Sequence, residues 1–525
     1  MENTLKLSIL LQKNDLSQHS LDLIKWCVAN KKIELVCLIW MPHKSKSLIS
    51  ILENFFWKLL LHIEKLKLNI KKVNRANLMN QINMNKKLKE FSLLPNDQKS
   101  INQINKQDID IHISLNLDPI LMTLKDHSKY GVLSFHYEEG SQKTHNPYFF
   151  NEVLNRKDNT IFKVLHLHPN IEKFSIIQQG AFPTHGYFLA NKKNVLKRQN
   201  FYMYRQIEAL IERRMVNLKM LESIAVYPIK QAPSLYDQFK YLLHIVDLIF
   251  KRFSAFFKAH NLWNVGIYRG SWRSLNFANS IIISNPRNHF LADPFVMNKN
   301  NKDYCFVEDF DLKKSKGVIS VYEIGNTQAK KVGLALEENF HLSFPYLFEF
   351  DSKTYMLPET SENNDIRLYE AIEFPLKWKL SKVIMKNIFA VDSMVFKYED
   401  RWWLFTNINP IGDPDTCSEL SLFYSDHPIN GKWVPHEKNP VIFDPSSARN
   451  GGIIIENNSI YRIGQKHLFG TYGAGGFSVN KITELTPDTY KEEQKLIINP
   501  NFFKGNKGAH HFHTNGTIST FDFLT

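Results

Sequence analysis

The sequence DPFVMNKNNKDYCFVEDF at residues 293–310 is a short apolar run, a polar turn and a second apolar run. The same arrangement returns as FPYLFEFDSKTYMLPETS from residue 344, DSMVFKYEDRWWLFTNI from residue 392 and NGGIIIENNSIYRIGQ from residue 450. A weaker copy, HHFHTNGTISTFDF, begins at residue 510. A repeated unit of about 50 residues built from short strands is typical of a propeller blade. Five copies predict an all-β five-bladed propeller over residues 262–525.

Equivalent positions of the five copies are expected to meet, because the innermost strands of a propeller converge on its axis. The first position of each copy holds Asp293, Phe344, Asp392, Asn450 and His510. The second position, at the end of the following apolar run, holds Glu308, Glu359, Asn407, Gln465 and Thr525. We therefore expect a polar funnel on the axis whose substrate-binding candidates are Asp293, Asp392, Glu308, Glu359, Asn450 and His510.

Paired carboxylates in a cleft suit acid/base cleavage of a glycosidic bond, in which one carboxylate stays ionised while the other keeps its proton. The alternative is that they bind sugar hydroxyls, or link neighbouring blades, without chemistry. Asn407 and Gln465 stand where a further acid would help cleavage. The presence of amides instead of acids at these two positions favours sugar binding over cleavage.

The motifs LADPF, HLSFPYLFEF, MLPETS, AVDSMVF with RWWLFT, SARNGG and GAHHF occur in this order across residues 262–525. They resemble the propeller domain at the N-terminal side of glucosamine inositolphosphorylceramide transferases of plants. That domain is related to five-bladed invertase- and arabinanase-type glycosidases, and the resemblance implies that Asp293 and Asp392 flank a sugar. Glu359 is the candidate counterpart of the general acid. Because the family's transfer chemistry is assigned to another domain, the resemblance implies carbohydrate handling without fixing a reaction.

The first part of the chain has the pattern of an α/β domain. LKLSILL at 5–11 and IELVCLIWM at 33–41 are apolar runs separated by a helical pattern, and IDIHISLNL at 109–117 and YGVLSFHY at 130–137 are further predicted strands. Strand, helix and strand at this spacing predict a parallel sheet. We expect an α/β domain over 1–190 with a basic insertion at about 61–106, a helical linker over 191–261 and the propeller beyond.

The stretches ISLNLDPILMTL, YGVLSFHYEE, NPYFFNEVLN and IEKFSIIQQGAFPT in residues 113–184 resemble the formyltransferase family, which has a Rossmann-type sheet. The resemblance implies that His136 is the general acid/base, with Ser134 at the position of the family's oxyanion-stabilising Asn and Glu172 at that of its orienting Asp. It also implies 10-formyltetrahydrofolate as a cofactor. Ser134 and Glu172 depart from the family's pattern, and losing one oxyanion donor typically costs about 10²–10³ in rate. His145, His166, His168 and His185 are alternative acid/base candidates.

The net charge of +14 is partly local, since residues 61–106 hold ten Lys and Arg against three acids. Such a run binds phosphate or an anionic membrane surface, or is simply a solvated insertion. No nucleic-acid-binding motif accompanies the charge, so no nucleic-acid partner is expected. The apolar pattern at 236–260 predicts a helix that packs as a linker between domains, with peripheral contact to a membrane as the alternative.

The four cysteines lie far apart without metal-ligand spacing, which indicates a reduced compartment and no metal. The N-terminal apolar stretch is too short for a signal peptide, so a cytoplasmic location is expected. These features lead to the hypothesis of a bacterial transferase of surface-polysaccharide biosynthesis, with a formyltransferase-like domain acting on an amino-sugar nucleotide or glycan and a carbohydrate-binding propeller. Two alternatives stay open: a propeller that acts as a glycosidase or transglycosidase, and a non-catalytic carbohydrate-binding scaffold.

Overall fold

The computed structural model describes residues 4–12, 17–41, 51–68, 88–93, 97–137, 146–214, 219–221, 232–257, 262–412 and 415–525. The chain divides into two compact units, residues 1–180 with 184–253, and residues 254–525 with 181–183. The middle of the predicted basic insertion at 61–106, residues 69–87, and residues 94–96 lie outside the described residues.

The N-terminal unit is built on an eight-stranded sheet with the order β3-β2-β1-β4-β5-β6-β7-β8. The strands are β1 Leu5–Gln12, β2 Ile33–Met41, β3 Lys89–Ser92, β4 Ile111–Ser114, β5 Val132–Tyr137, β6 Asn159–Leu167, β7 Phe174–Pro183 and β8 Lys219–Leu221. Strands β1 to β5 pair in parallel, whereas β5 with β6 and β7 with β8 are antiparallel. The central strands β1 and β4 are buried along nearly their whole length, as expected for a sheet covered on both faces. The predicted parallel α/β sheet is confirmed, and the closer likeness to formyltransferases stays a prediction.

The described helices of this unit connect and cover the strands. They are α1 Gln18–Ala29, α2 Ile51–Leu68, α3 Gln98–Asn105, α4 Leu121–Leu124, α5 Phe150–Leu154, α6 Phe188–Ile211 and α7 Leu235–Phe257. Helices α6 and α7 fall in the segment predicted to be helical. Among the described helices, none combines the length and the hydropathy needed to cross a lipid bilayer.

The second unit is a five-bladed β-propeller, as predicted. Four blades are consecutive four-stranded antiparallel sheets, the third of which carries an additional short strand. Their strands are β11 His289–Lys299, β12 Lys302–Asp311, β13 Lys316–Ile324 and β14 Ala329–Leu336; β15 Ser343–Phe350, β16 Lys353–Glu359, β17 Asp365–Glu373 and β18 Lys377–Lys386; β19 Ala390–Tyr398, β20 Arg401–Ile408, β21 Glu419–Ser425, β22 Val434–Pro435 and β23 Ile442–Phe443; and β24 Asn450–Glu456, β25 Ser459–Gln465, β26 Phe477–Leu485 and β27 Tyr490–Ile498.

The fifth blade joins the two ends of the propeller sequence. Its strands are β9 Trp263–Arg269, β10 Ile281–Ile283, β28 Phe512–Thr514 and β29 Ile518–Leu524, in the order β10-β9-β29-β28. The weak fifth repeat therefore supplies only the two inner strands, and the outer two come from residues that precede the first repeat. Pairing of β29 with β9 over the whole of both strands closes the ring.

A bulge interrupts the inner strand of each of the first four blades. In the first three it contains Asp293, Phe344 and Asp392, whose φ angles are 48°, 45° and 50°. Asp tolerates left-handed backbone better than most residues, whereas the bulky Phe344 is strained there. Bulges re-aim side chains, so the bulges set the direction of all three side chains. In the fourth blade the bulge lies one residue nearer to the hairpin turn, and Asn450 directly precedes it instead of lying within it. Asn450 therefore matches Asp293 in sequence position but not in backbone geometry.

Candidate functional site

The bulged strands and their hairpin partners bring the predicted acids into one buried cluster. Asp293 is 7 % exposed, Glu308 8 % and Asp392 2 %. The charges of Asp293 and Glu359 both raise the pKa of Glu308. The charge of Asp392 raises the pKa values of Asp293 and Glu359. Four carboxyl groups from three blades therefore face one another, as the repeat register predicted. We call these residues, with Arg449, Asn450, Gln465, Tyr472, His510 and Asp522, the axial funnel.

Asp392 is held by residues from the fourth blade and the loop before it. Arg449 donates from Nε to Asp392 Oδ2 at 2.6 Å and from Nη2 to Oδ1 at 3.5 Å. Gln465 Nε2 also donates to Oδ2, at 3.3 Å, and Asn450 Nδ2 donates to the Asp392 backbone carbonyl at 2.9 Å. A bidentate guanidinium fixes both the charge and the orientation of a carboxylate. Sequence analysis named Asn450 and Gln465 but missed Arg449, since the repeat register does not include it.

Asp522 is the second residue that sequence analysis missed. It is fully buried on β29 and accepts backbone hydrogen bonds from His510 and His511 at Oδ1, 3.0 and 2.9 Å, and from Asp293 at Oδ2, 3.2 Å. His510 Nδ1 lies 2.6 Å from Asp522 Oδ2. Asp522, and not the predicted Thr525, occupies the second position of the fifth copy, because Thr525 lies beyond the end of β29.

The pKa values of these groups are spread by burial and by their neighbours. Burial raises the pKa of Asp293 to about 7, with His510 opposing the rise and Asp522 adding to it. Burial and then Asp392 raise the pKa of Glu359 to about 8, and burial and then Asp293 raise the pKa of Glu308 well above its usual range. Burial also acts on Asp522, but His510 outweighs it and lowers the pKa of Asp522 below its ordinary value.

The funnel thus has carboxyls that keep a proton at neutral pH beside carboxylates that are paired with cations. Glu359 is the residue best placed to donate a proton, since Ser361 Oγ donates to its Oε1 at 2.7 Å and leaves the second oxygen available. Carboxyls whose pKa values are pushed apart are typical of acid/base and sugar-binding sites.

Aromatic rings line one side of the funnel. Tyr472 is 41 % exposed, lies 4.8 Å from the Arg449 guanidinium and meets the His510 ring edge-on at 5.4 Å. Trp263 stacks on the other side of His510 with ring centroids 4.0 Å apart. Phe344, which holds the first position of the second copy, is fully buried against Phe295 and belongs to the apolar core.

Within the described residues, one group of metal-ligand type is found in the funnel. Asp293, His510 and Asp522 each offer one atom, and these atoms lie within 4.8 Å of one another. Four N–H groups already contact the two oxygens of Asp522, which has about four lone-pair sites. The donor set therefore fits a hydrogen-bonded link between the first and fifth blades better than a metal ion, and the expectation of no metal stays a prediction.

The structure places the candidates of the N-terminal unit on or near the central sheet. Ser134 and His136 both lie on β5, with Ser134 fully buried and donating to the Phe135 carbonyl at 3.2 Å, and His136 half-buried. Glu172 is exposed in the connection between β6 and β7. Among the alternatives, His166 binds the Tyr130 carbonyl at 2.7 Å through Nε2, while His145 lies outside the described residues. The catalytic roles of His136, Ser134 and Glu172 and the binding of 10-formyltetrahydrofolate stay predictions.

The sequence of the propeller is similar to that of known proteins. Residues 275–517 match the family model of the glucosamine inositolphosphorylceramide transferase 1 N-terminal domain. Proteins named glucosamine inositolphosphorylceramide transferase 1 are 36 % identical over 209 residues in Oryza sativa subsp. japonica and over 236 residues in Arabidopsis thaliana. These alignments cover 39 % and 42 % of this chain but only 28 % and 30 % of the relatives. The predicted resemblance of the propeller to this plant domain is confirmed.

Solved structures give a more distant likeness. The catalytic domain of the Coprinopsis cinerea GH62 α-L-arabinofuranosidase aligns with a TM-score of 0.35 and 13 % identity, over 45 % of this chain and 81 % of that domain. A family 117 glycoside hydrolase of Zobellia galactanivorans, Zg3597, aligns with a TM-score of 0.33 and 12 % identity, over 50 % and 90 % of the two chains. At these values the likeness supports no statement about activity.

These comparisons overturn the functional hypothesis drawn from the sequence. The prediction of a bacterial enzyme of polysaccharide biosynthesis with formyltransferase-like activity is wrong, because the relatives are plant proteins named glucosamine inositolphosphorylceramide transferase 1. The error came from carrying a reaction over from a resemblance of short stretches in residues 113–184, although one fold hosts many unrelated activities. The transferase class predicted for the chain agrees with the names of its relatives.

Proposed function

We propose that the axial funnel binds an amino sugar and that the chain serves a transferase whose substrates are glycosylated lipids. The relatives' names supply the substrate class, glucosamine and an inositolphosphoryl lipid. The single observation that carries the proposal is the excess of carboxyl groups in the funnel. Asp293, Glu308, Glu359, Asp392 and Asp522 stand against the cations Arg449 and His510.

An acidic funnel selects a cationic or neutral ligand over a phosphate. Arg449 and His510 are already paired with Asp392 and Asp522, so they have little capacity left for an anion. Among the described residues, Glu308 and Glu359 lack a cationic partner of comparable geometry. The charge of Arg449 acts on Glu359, but its guanidinium is hydrogen-bonded to Asp392. His341 Nε2 lies 3.6 Å from Glu308 Oε1, and burial lowers the pKa of His341 so that it is neutral at pH 7. An ammonium group would meet two carboxyls whose ionised forms are otherwise penalised by burial.

The chemical groups of the site suit a pyranose ring. The carboxyl groups, in their ionised and protonated forms, offer the hydrogen-bond acceptors and donors that sugar hydroxyls need, while the amides of Asn450 and Gln465 hold Asp392 in place. Tyr472 offers an exposed apolar ring face beside Arg449, and such amphipathic aromatic rings pair well with ligands that are apolar on one face. In this arrangement Asp392 is a fixed acceptor, while Glu359 donates a proton to a hydroxyl or pairs with the ammonium.

Calorimetric titration with glucosamine, and with glucose as the neutral match, tests the proposal. Glucosamine is expected to bind at least tenfold more tightly than glucose, because hydrogen bonds to charged groups contribute about 1.5–3 kcal/mol. Glu308→Gln with Glu359→Gln should reduce the preference to below about threefold, by removal of the charge-assisted contacts to the ammonium group. Glu373→Gln, which changes a 66 % exposed acid on β17, is the control and should leave affinity unchanged.

Protons give an independent readout. Because the pKa of Glu359 lies at about 8, pairing with an ammonium at pH 7 should expel its proton into the buffer. Titrations in two buffers of different ionisation enthalpy should therefore give different apparent binding enthalpies for glucosamine and equal ones for glucose. Equal affinity for both sugars, with no proton release, would overturn the proposal.

A further inference from the structure

Helix α7 presents an apolar face to solvent. Ile249 is 55 % exposed, and six further large side chains that are 53–67 % exposed are Tyr236, Phe239, Leu243, Val246, Phe250 and Phe253. Their spacing alternates between three and four residues, so they form one stripe along the helix. A surface helix of a globular protein normally shows polar residues on this side.

The opposite face of α7 is already packed against the N-terminal unit. Tyr241 is fully buried and its hydroxyl donates to Glu64, while it accepts from the backbone N–H of Phe188 at 2.8 Å. Gln238 Nε2 donates to the Glu53 carbonyl at 3.0 Å, and His244 Nε2 binds the Gly186 carbonyl at 2.8 Å. The helix is therefore docked by its polar-bearing side, and this fixes the apolar stripe outward.

Helix α2 lies beside α7 and has the same character. The contacts of Gln238 with Glu53 and of Tyr241 with Glu64 join the two helices. The outward large side chains of α2 are Phe55, Phe56, Leu59, Ile63 and Leu66, which are 40–71 % exposed. Together the outward side chains of α2 and α7 form what we call the α2/α7 face. Exposed apolar surface of this extent marks an interaction site.

The charges on these helices are all of one sign where they are exposed. The exposed cations are Lys58, Lys65, Lys67, Lys240, Lys251 and Arg252. Glu53, Asp237 and Asp247 are half-buried and Glu64 is buried, so no acidic side chain described on α2 or α7 is exposed. Aromatic and aliphatic side chains flanked by Lys and Arg are the composition of helices that lie in the plane of a membrane interface.

We propose that the α2/α7 face is a docking surface for an anionic lipid bilayer. The apolar stripes insert between the headgroups while the surrounding cations contact lipid phosphates, so the protein lies on the membrane without crossing it. A second copy of the chain is disfavoured as the occupant, because pairing two such faces would bring like charges together. The sequence allowed a membrane contact for α7 and, separately, for the basic run that begins in α2; that the two helices form one surface follows only from their packing.

Sedimentation of the full chain with lipid vesicles tests this inference. Vesicles of phosphatidylcholine with about one third phosphatidylglycerol should bind the protein, and pure phosphatidylcholine should bind it at least tenfold more weakly. Phe239→Glu with Phe250→Glu should abolish binding. Ile455→Glu with Ile497→Glu is the matched control, because these side chains are 55 % and 47 % exposed on the propeller; it should bind as the wild type does.

Reversing the charge of two cations measures the electrostatic contribution to vesicle binding separately from the apolar contribution. Lys251→Glu with Arg252→Glu should weaken binding to the anionic vesicles by about 25-fold or more, since each cation near the surface contributes roughly fivefold. Circular dichroism and thermal unfolding of every variant show whether it is folded, and they keep this test independent of the funnel. Failure of the wild type to bind anionic vesicles would overturn the inference, as would a dimer in solution that the Phe239→Glu and Phe250→Glu variant dissociates.

Discussion

Replacing Glu359 by Gln should stabilise the propeller at alkaline pH and have little effect at acidic pH. The pKa of this carboxyl is raised from 4.5 to about 8, mainly by burial and then by Asp392. Between these values the folded protein holds a proton that the unfolded chain has released, so stability is complete below about pH 4.5 and is lost as the pH rises toward 8. Gln retains the shape and the acceptor for Ser361 Oγ but has no charge to bury.

The size of the effect follows from the shift. One pKa unit corresponds to about 1.4 kcal/mol, so the shift costs the fold about 4 kcal/mol at pH 8 and about 1 kcal/mol at pH 5. Glu359 is partly open to water, which weakens the penalty, and we expect a difference of about 2–3 kcal/mol between the two pH values. For a unit of this size that corresponds to a Tm rise of about 4–10 °C at pH 8.

Differential scanning calorimetry at pH 5 and pH 8 measures this difference. Glu373→Gln again serves as the control, because its side chain is 66 % exposed, and it should move Tm by less than about 1 °C at either pH. A Tm gain for Glu359→Gln that is the same at both pH values would refute the reasoning, because a packing effect has no pH dependence in this range. A loss of stability at pH 8 would refute it as well.

Two further predictions concern the closure of the ring. Gly452→Ala should destabilise the protein by more than about 3 kcal/mol in a urea titration, because a Cβ there would lie 2.1 Å from the Phe512 carbonyl and φ is 124°. The control Gly516→Ala should cost only about 1 kcal/mol, because φ is 97° but the space around this glycine is open. Asp522→Ala should lower the free energy of unfolding by about 3–5 kcal/mol, because it leaves the backbone N–H groups of His510 and His511 without their acceptor. The control Asp488→Ala, at an exposed turn, should lower it by less than about 1 kcal/mol. Equal urea midpoints for the two variants would contradict this prediction.

Part of the funnel could be predicted from the sequence because the blades repeat. A repeat of fixed register places equivalent residues at equivalent points of a symmetric fold, so Asp293, Asp392, Glu308 and Glu359 could be brought together without coordinates. The same reasoning failed for the fourth and fifth copies. The bulge of the fourth blade is shifted by one residue, and Thr525 lies beyond the strand that was to carry it.

The residues that sequence analysis missed are those whose partners lie far away along the chain. Asp522 hydrogen-bonds the backbone of Asp293 across 229 positions, and Arg449 reaches Asp392 across 57. Arg449 belongs to no repeat position, and Asp522 lies three residues before the position that the register assigns in the fifth copy, so the repeat pattern marks neither of them. Their roles depend on ring closure, which is a property of the assembled propeller.

The sequence by itself determined the number of blades, the parallel strands of the N-terminal sheet and the four acids on the propeller axis, because hydrophobic period and repeat spacing are local properties. Only the tertiary structure decided which cations hold those acids, and that β9 and β29 complete the fifth blade. It also decided that α7 turns its apolar stripe outward. A helical pattern contains two faces, and which of them is buried depends on the surface against which the helix packs.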